Sequence, residues 1–209
     1  MSRVVVLLLV SLVISGLPFA YQASAQILDI CNSSAVAPPG VLFCCPQGDG
    51  DALAANGLTV TVTIRDNVNA PIANVLASDI WLTSCANGVL AMCGGSAAIN
   101  ASAPTDQNGV TTITARFAVG GCDNTGVRAV FQGMAIGAGV CGDPCLPIKI
   151  RSPDINANYV VNLVDFAVFG TGYTSPPKPY NECIDFTAPF GTITLADFAK
   201  YGVHSSHSC

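Results

Sequence analysis

An eleven-residue phrase occurs twice near the C-terminus, VVNLVDFAVFG at 160–170 and TITLADFAKYG at 192–202. Five of the eleven positions are identical and two more are conservative. A unit this short cannot bury a core alone, so the two copies are expected to pack against each other as one small module.

The segment leading into the first copy adds chemistry. Asp154, Asn156, Asn158, Asn162 and Asp165 stand at positions 1, 3, 5, 9 and 12 of a twelve-residue loop, and Val160 at position 7 offers its backbone carbonyl. Calcium takes about six to eight hard oxygen donors, and ligands alternating with outward residues wrap around one ion. Position 6, usually glycine because the chain turns there with positive φ, is Tyr159. Position 12 is Asp165 where glutamate is usual.

The second copy is poorer in donors. With Asp197 at position 12 and Gly191 at position 6, Phe186, Ala188 and Phe190 fall where ligands would stand. Asp185 reaches position 1 only if one extra residue is allowed, which leaves Asp185, Thr194 and Asp197 as a degenerate second loop. The sequence predicts one calcium site, in the first loop, and a second loop held by apolar packing. The alternative is a degenerate repeat kept for its helices.

On these residues, 152–209 resembles the dockerin type I module, a pair of calcium loops each followed by one helix. The resemblance implies docking onto a cohesin-like or other cell-surface protein within bacterial, extracellular polysaccharide-degrading complexes. The sequence departs from that family early in each helix, where Leu163, Val164, Leu195 and Ala196 replace polar partner-facing residues.

The N-terminus sets the compartment. An apolar run over 4–20 follows Arg3, and Ala23-Ser24-Ala25 forms a small-residue cleavage site, so 1–25 reads as a secretory signal peptide. No later segment is long and apolar enough to span a bilayer. All ten cysteines follow that site, and an even count in an exported chain reads as disulfides. Connectivity stays open. Cys85 with Cys93, clipping a hairpin across Asn87-Gly88, and Cys183 with Cys209, closing the second repeat, are candidate pairs.

Zinc spacing is poor at Cys141 to Cys145 and at the adjacent Cys44-Cys45. His204 and His207 with Cys209 form a transition-metal candidate in the tail, although Cys209 is better suited to a bridge. The net charge is −5, one unit more negative once Arg3 is removed with the leader. So sparse and acidic a charge set cannot neutralise a run of phosphates, which argues against nucleic acid as a partner.

Residues 26–57 are rich in Cys, Pro, Ala and Gly without sustained periodicity, and read as a stapled leader into the first domain. From Leu58 the pattern alternates strictly, with Leu58, Val60, Val62 and Ile64 on one face. Trp81 is expected in the core, with a carbohydrate-stacking role the alternative. After the turn Asp106-Gln-Asn108-Gly109, one alternating run is predicted through Ile113, Ala115, Phe117 and Val119, continued by Val127, Ala129 and Phe131. Ile148 and Ile150 mark a final edge-like strand.

Short strands punctuated by turns predict a mainly β fold, an antiparallel β-sandwich over 58–151, with a small C-terminal α-helical repeat pair over 152–209. TVTVTIRDNVNAPIANV and the later PTDQNGVTTITARF resemble bacterial immunoglobulin-like domains of the invasin and intimin kind.

The catalytic inventory is thin. After the leader there is one glutamate, Glu182, and the only histidines lie in the tail HSSHSC. The expectation is a secreted, non-catalytic binding or scaffold protein, with a polysaccharide as one further partner. The alternatives are a polysaccharide-processing enzyme subunit or a purely structural envelope or matrix protein.

Overall fold

The computed structural model describes residues 27–85, 90–93, 99–137, 141–142, 144–173 and 180–209. The segment expected as a signal peptide and the expected turn at Asn87-Gly88 lie outside the described residues.

Leu58, Val60, Val62 and Ile64 are all buried, as a strand with one apolar face requires. Val60–Thr63 (β3) pairs antiparallel with Ser34–Val36 (β1) on one side and Val110–Ile113 (β7) on the other. A second sheet runs in the order Met134–Ala135 (β10), Val127–Phe131 (β9), Ile80–Ser84 (β4), Ile99–Asn100 (β6). A third runs Gly40–Phe43 (β2), Ile148–Arg151 (β11), Val119–Asp123 (β8), Leu90–Met92 (β5), with β2 and β11 parallel. All three sheets feed one core, which holds Leu42, Val60, Leu82, Ile113, Val119 and Ile150 together. The fold is mainly β, with two α-helices among the described residues, Leu163–Tyr173 (α1) and Leu195–Val203 (α2).

Four expectations about the β layers change. Trp81 is only partly buried: Ile80 and Leu82 take the inward positions of β4, and alternation turns Trp81 to the other face. The strand at 148–151 is interior rather than edge-like, because β2 pairs with it on one side and β8 on the other. The run through 113–119 divides between two sheets: β7 ends at Ile113, Ala115 is exposed, and β8 begins at Val119. Residues 34–53, read as a leader, supply β1, β2 and the core side chains Leu42 and Leu53.

The same alternation attaches the C-terminal residues. In β2, Leu42 enters the main core while Phe43 enters a second core with Val161, Phe169, Ile184, Phe186 and Tyr201. In β11, Ile148 and Ile150 face the main core, while Lys149 and Arg151 reach Glu182 and Asp185. Phe169 of α1 centres the second cluster, with ring centroids 5.4 Å from Tyr201, 6.0 Å from Phe186 and 6.1 Å from Phe198. A buried ring of this size contributes mainly through the apolar area it removes from water.

Disulfides join Cys31–Cys141, Cys85–Cys145, Cys93–Cys209 and Cys122–Cys183. The expected pairs Cys85–Cys93 and Cys183–Cys209 are therefore replaced. Cys93 and Cys122 lie beside or within the sheets, so Cys209 and Cys183 staple the C-terminal residues onto the β layers instead of closing local loops. Among the described residues no helix is long and apolar enough to cross a membrane. Four disulfides accord with an oxidising, extracellular setting.

Candidate metal centres

Asp154 and Asp165 are both fully buried at opposite ends of the first loop. Asp154 Oδ1 accepts from Asn158 N, and Oδ2 from Tyr159 N at 2.8 Å. Asp165 Oδ1 accepts from Asn156 N, and Oδ2 from Asn162 N. The side-chain oxygens of Asn156, Asn158 and Asn162 each accept from a backbone N–H two residues on, in Asx turns. Tyr159 takes φ +72°, the left-handed conformation that position 6 demands. Its ring is about half exposed, so little packing offsets that backbone cost.

The loop is docked on β8. Asp154 O accepts from Gly121 N, and a Cβ on Gly120 would stand 1.9 Å from Asp154 Oδ2. Only glycine leaves room for the carboxylate. Burial, together with the charge of Asp165, raises the Asp154 pKa above the ordinary carboxylate value. Tyr201 of α2 donates its O–H to Asn162 O at 2.8 Å, and burial, then Asp165, pushes that phenol up to about 12.

The second loop repeats this scheme with one residue inserted. Asp185 Oδ2 accepts from Gly191 N, six residues on, where Asp154 used the residue five on. Asp197 Oδ2 accepts from Thr194 N and Thr194 Oγ1, while Oδ1 accepts from Phe186 N, Thr187 N and Thr187 Oγ1. Thr194 Oγ1 in turn accepts from Ala196 N, which caps α2. Thr194 thus serves the helix start.

A cation of the protein's own meets this loop. Arg151 lies 3.8 Å from Asp185 Oδ2 and donates to Asp185 O, and Tyr180 O–H donates to the same carboxylate. Apolar packing through Ile184 and Phe186 is therefore joined by a buried polar network that the sequence did not signal. No basic side chain pairs with Asp154 or Asp165 among the described residues.

A second cluster lies where the 44–51 turn meets the tail. His207 Nδ1 lies 3.4 Å from Cys45 Sγ, 3.3 Å from His204 Nδ1 and 3.2 Å from Asp49 Oδ2, and His204 Nδ1 lies 3.4 Å from Asp49 Oδ1. The four ligand atoms lie within 4.8 Å of one another. Cys45 and His204 are buried, His207 is half-buried and Asp49 is exposed. Burial, then the hydrogen bond to Asp49, raises the Cys45 thiol to about 12. Burial also lowers His204, against the pull of Asp49.

The chain matches no protein-family model, no curated protein and no solved structure.

The tail histidines thus meet Cys45 and Asp49, while Cys209, their expected companion, is bonded to Cys93. The His-x-x-His spacing was visible in the sequence. Nothing local ties it to a cysteine 162 residues away.

Proposed function

We propose that the chain is a secreted, non-catalytic binding or scaffold protein. In this reading an Ig-like β-sandwich carries a dockerin-like module that binds one calcium ion and docks onto a cohesin-like or other cell-surface protein, in a setting of polysaccharide breakdown.

One contrast carries the reading. Asp154 and Asp165 are buried with no basic partner among the described residues, whereas Asp185 of the second loop has Arg151. Two buried carboxylates without a counter-charge are costly, and a divalent cation offsets that cost. The donor set consists only of oxygens: Asp154, Asn156, Asn158, Asp165, the Val160 carbonyl and Asn162. Hard oxygen donors suit calcium rather than a thiophilic metal. Because the second loop is already met by a guanidinium, the expected stoichiometry is one ion per chain.

The helix starts depart from the polar partner-facing set of the dockerin family, and they support docking onto a cell-surface protein through an apolar face instead. Leu163 and Leu195 hold equivalent positions in α1 and α2 and are 82% and 70% exposed. Beside Leu163 a groove of about 650 Å³ is lined by Val160, Leu163, Phe166, Phe198 and Tyr201. Apolar surface at two matched helix starts suits a protein partner better than a sugar.

Thermal unfolding of the full chain with calcium and with chelator tests the ion, and a pull-down of cell-surface proteins under both conditions tests the docking. A calcium-dependent rise in Tm that disappears in the Asp154→Asn, Asp165→Asn double variant is expected. Identical melting curves with and without calcium overturn the reading.

A second reading, a structural envelope or matrix protein, is favoured by Cys93–Cys209 and Cys122–Cys183, which staple the module to the sheets. It predicts no calcium-dependent partner.

A further inference from the structure

We infer that Cys45, Asp49, His204 and His207 form a transition-metal site that takes Zn(II) as a structural centre with four protein ligands.

Distance is the first argument. Zinc bonds of about 2.0–2.3 Å to N, O and S place neighbouring ligands of a tetrahedron roughly 3.3–3.8 Å apart. Four of the donor separations here are 3.4, 3.3, 3.4 and 3.2 Å, close to those edges. Both imidazoles turn Nδ1 toward the same point, with ring planes at 90°. Two neutral imidazoles satisfy such an approach with at most one shared proton, whereas a cation satisfies both lone pairs.

Donor chemistry is the second. One thiolate, two imidazoles and one carboxylate make a borderline set that suits zinc and disfavours calcium. This separates the centre from the oxygen-only loop at 154–165. Binding exchanges the Cys45 thiol proton for the metal, and that proton leaves to solvent.

The cysteine inventory is the third. Eight of the ten cysteines pair, and the remaining two are Cys44 and Cys45. Cys44 packs in the main core, while Cys45 faces His207 and Asp49. Metal ligation gives an unpaired thiol in a disulfide-rich chain a defined role and protects it from oxidation.

The ligands are also held from two sides. Cys45 O accepts from Val119 N and Gly48 N, which fixes the turn carrying Asp49. On the tail side, His207 O accepts from Val161 N at 2.8 Å, Ser206 N donates to Val161 O, and Cys209 is bonded to Cys93. A metal there cross-links the 44–51 turn to the segment that backs the first loop.

The test uses the full chain with its disulfides intact, in excess calcium, titrated with cobalt(II) as a probe and then zinc(II). One cobalt per chain is expected, with tetrahedral ligand-field bands and a thiolate-to-cobalt charge-transfer band, both removed by zinc. Cys45→Ser should abolish the charge-transfer band, and His207→Gln should weaken binding by at least ~10-fold. The Asp154→Asn, Asp165→Asn variant should leave the cobalt spectrum unchanged. If the substitutions impair folding, zinc protection of Cys45 against alkylation in the native chain, read by peptide mass, decides the question. Any of three results overturns the site: absence of both the cobalt spectrum and zinc protection, loss of the spectrum in the calcium-loop variant, or a native chain with Cys44 oxidised onto Cys45.

Discussion

The Arg151 guanidinium lies 3.8 Å from the Asp185 carboxylate, with both side chains removed from solvent. Arg151 ends the strand that pairs with β2 and β8, so one residue closes the sheet layer and gives Asp185 of the second loop its counter-charge. Arg151→Met leaves a buried carboxylate without its counter-charge and should cost about 3–5 kcal/mol. Urea unfolding measures this, and Asp185→Asn added to Arg151→Met should recover a large part. A cost for Arg151→Met below about 0.5 kcal/mol, typical of surface changes, would contradict the pairing.

Tyr159 holds φ +72° with its ring about half exposed. The left-handed conformation costs a residue with a Cβ roughly 1–2 kcal/mol, and glycine escapes that cost while losing more chain entropy. Tyr159→Gly is therefore expected to stabilise the protein by about 0.5–1 kcal/mol, seen as a higher urea midpoint at unchanged m-value. A lower midpoint would show that the ring contributes packing beyond its visible burial.

Gly120 faces the first loop so closely that a methyl group would overlap Asp154 Oδ2 and Cγ. Gly120→Ala must push the buried carboxylate aside, at a cost of about 1–3 kcal/mol. It should also blunt any calcium-dependent rise in Tm, whereas Gly133→Ala in the β9–β10 turn, which strains a backbone at φ +89° but meets nothing within 4 Å, should lower basal stability and leave that response intact. Equal calcium responses in both variants would count against the docked position of Asp154.

Asp197 supplies a pH dependence of definite sign. Burial opposes its ionisation, but donors from Thr194 and Thr187 outweigh burial and hold its pKa below the ordinary value. The native state therefore binds this proton less readily than the unfolded chain. The associated stability is present above the ordinary carboxylate pKa and is lost as pH falls below about 4, through the folded value. Asp197→Asn should cost about 1–3 kcal/mol at neutral pH and progressively less in acid. A constant difference from wild type across that range would exclude the carboxylate as the source.

Much of the chain's local structure was written in its order of residues. Strict alternation from Leu58 to Ile64 specified a half-buried strand because side chains of successive strand residues point to opposite faces. The repeat marked two equivalent loop-helix units, and the extra residue needed to align Asp185 reappears as its bond to Gly191, one residue further on than the bond from Asp154 to Tyr159. These features are local, and a local pattern suffices to specify them.

Tertiary structure decided what joins what. Periodicity reports one buried face per strand, yet β2 and β11 use both faces, sending Leu42 and Ile150 into the main core and Phe43 and Arg151 toward the C-terminal residues. No pattern in the chain announces that Cys93 reaches Cys209, or that Cys45 and Asp49 meet His204 and His207. Such partners are chosen by the stacking of layers far apart in sequence. The order of residues determined which segments form strands, loops and helices, and the packing of those segments decided which charges, thiols and imidazoles came to share one place.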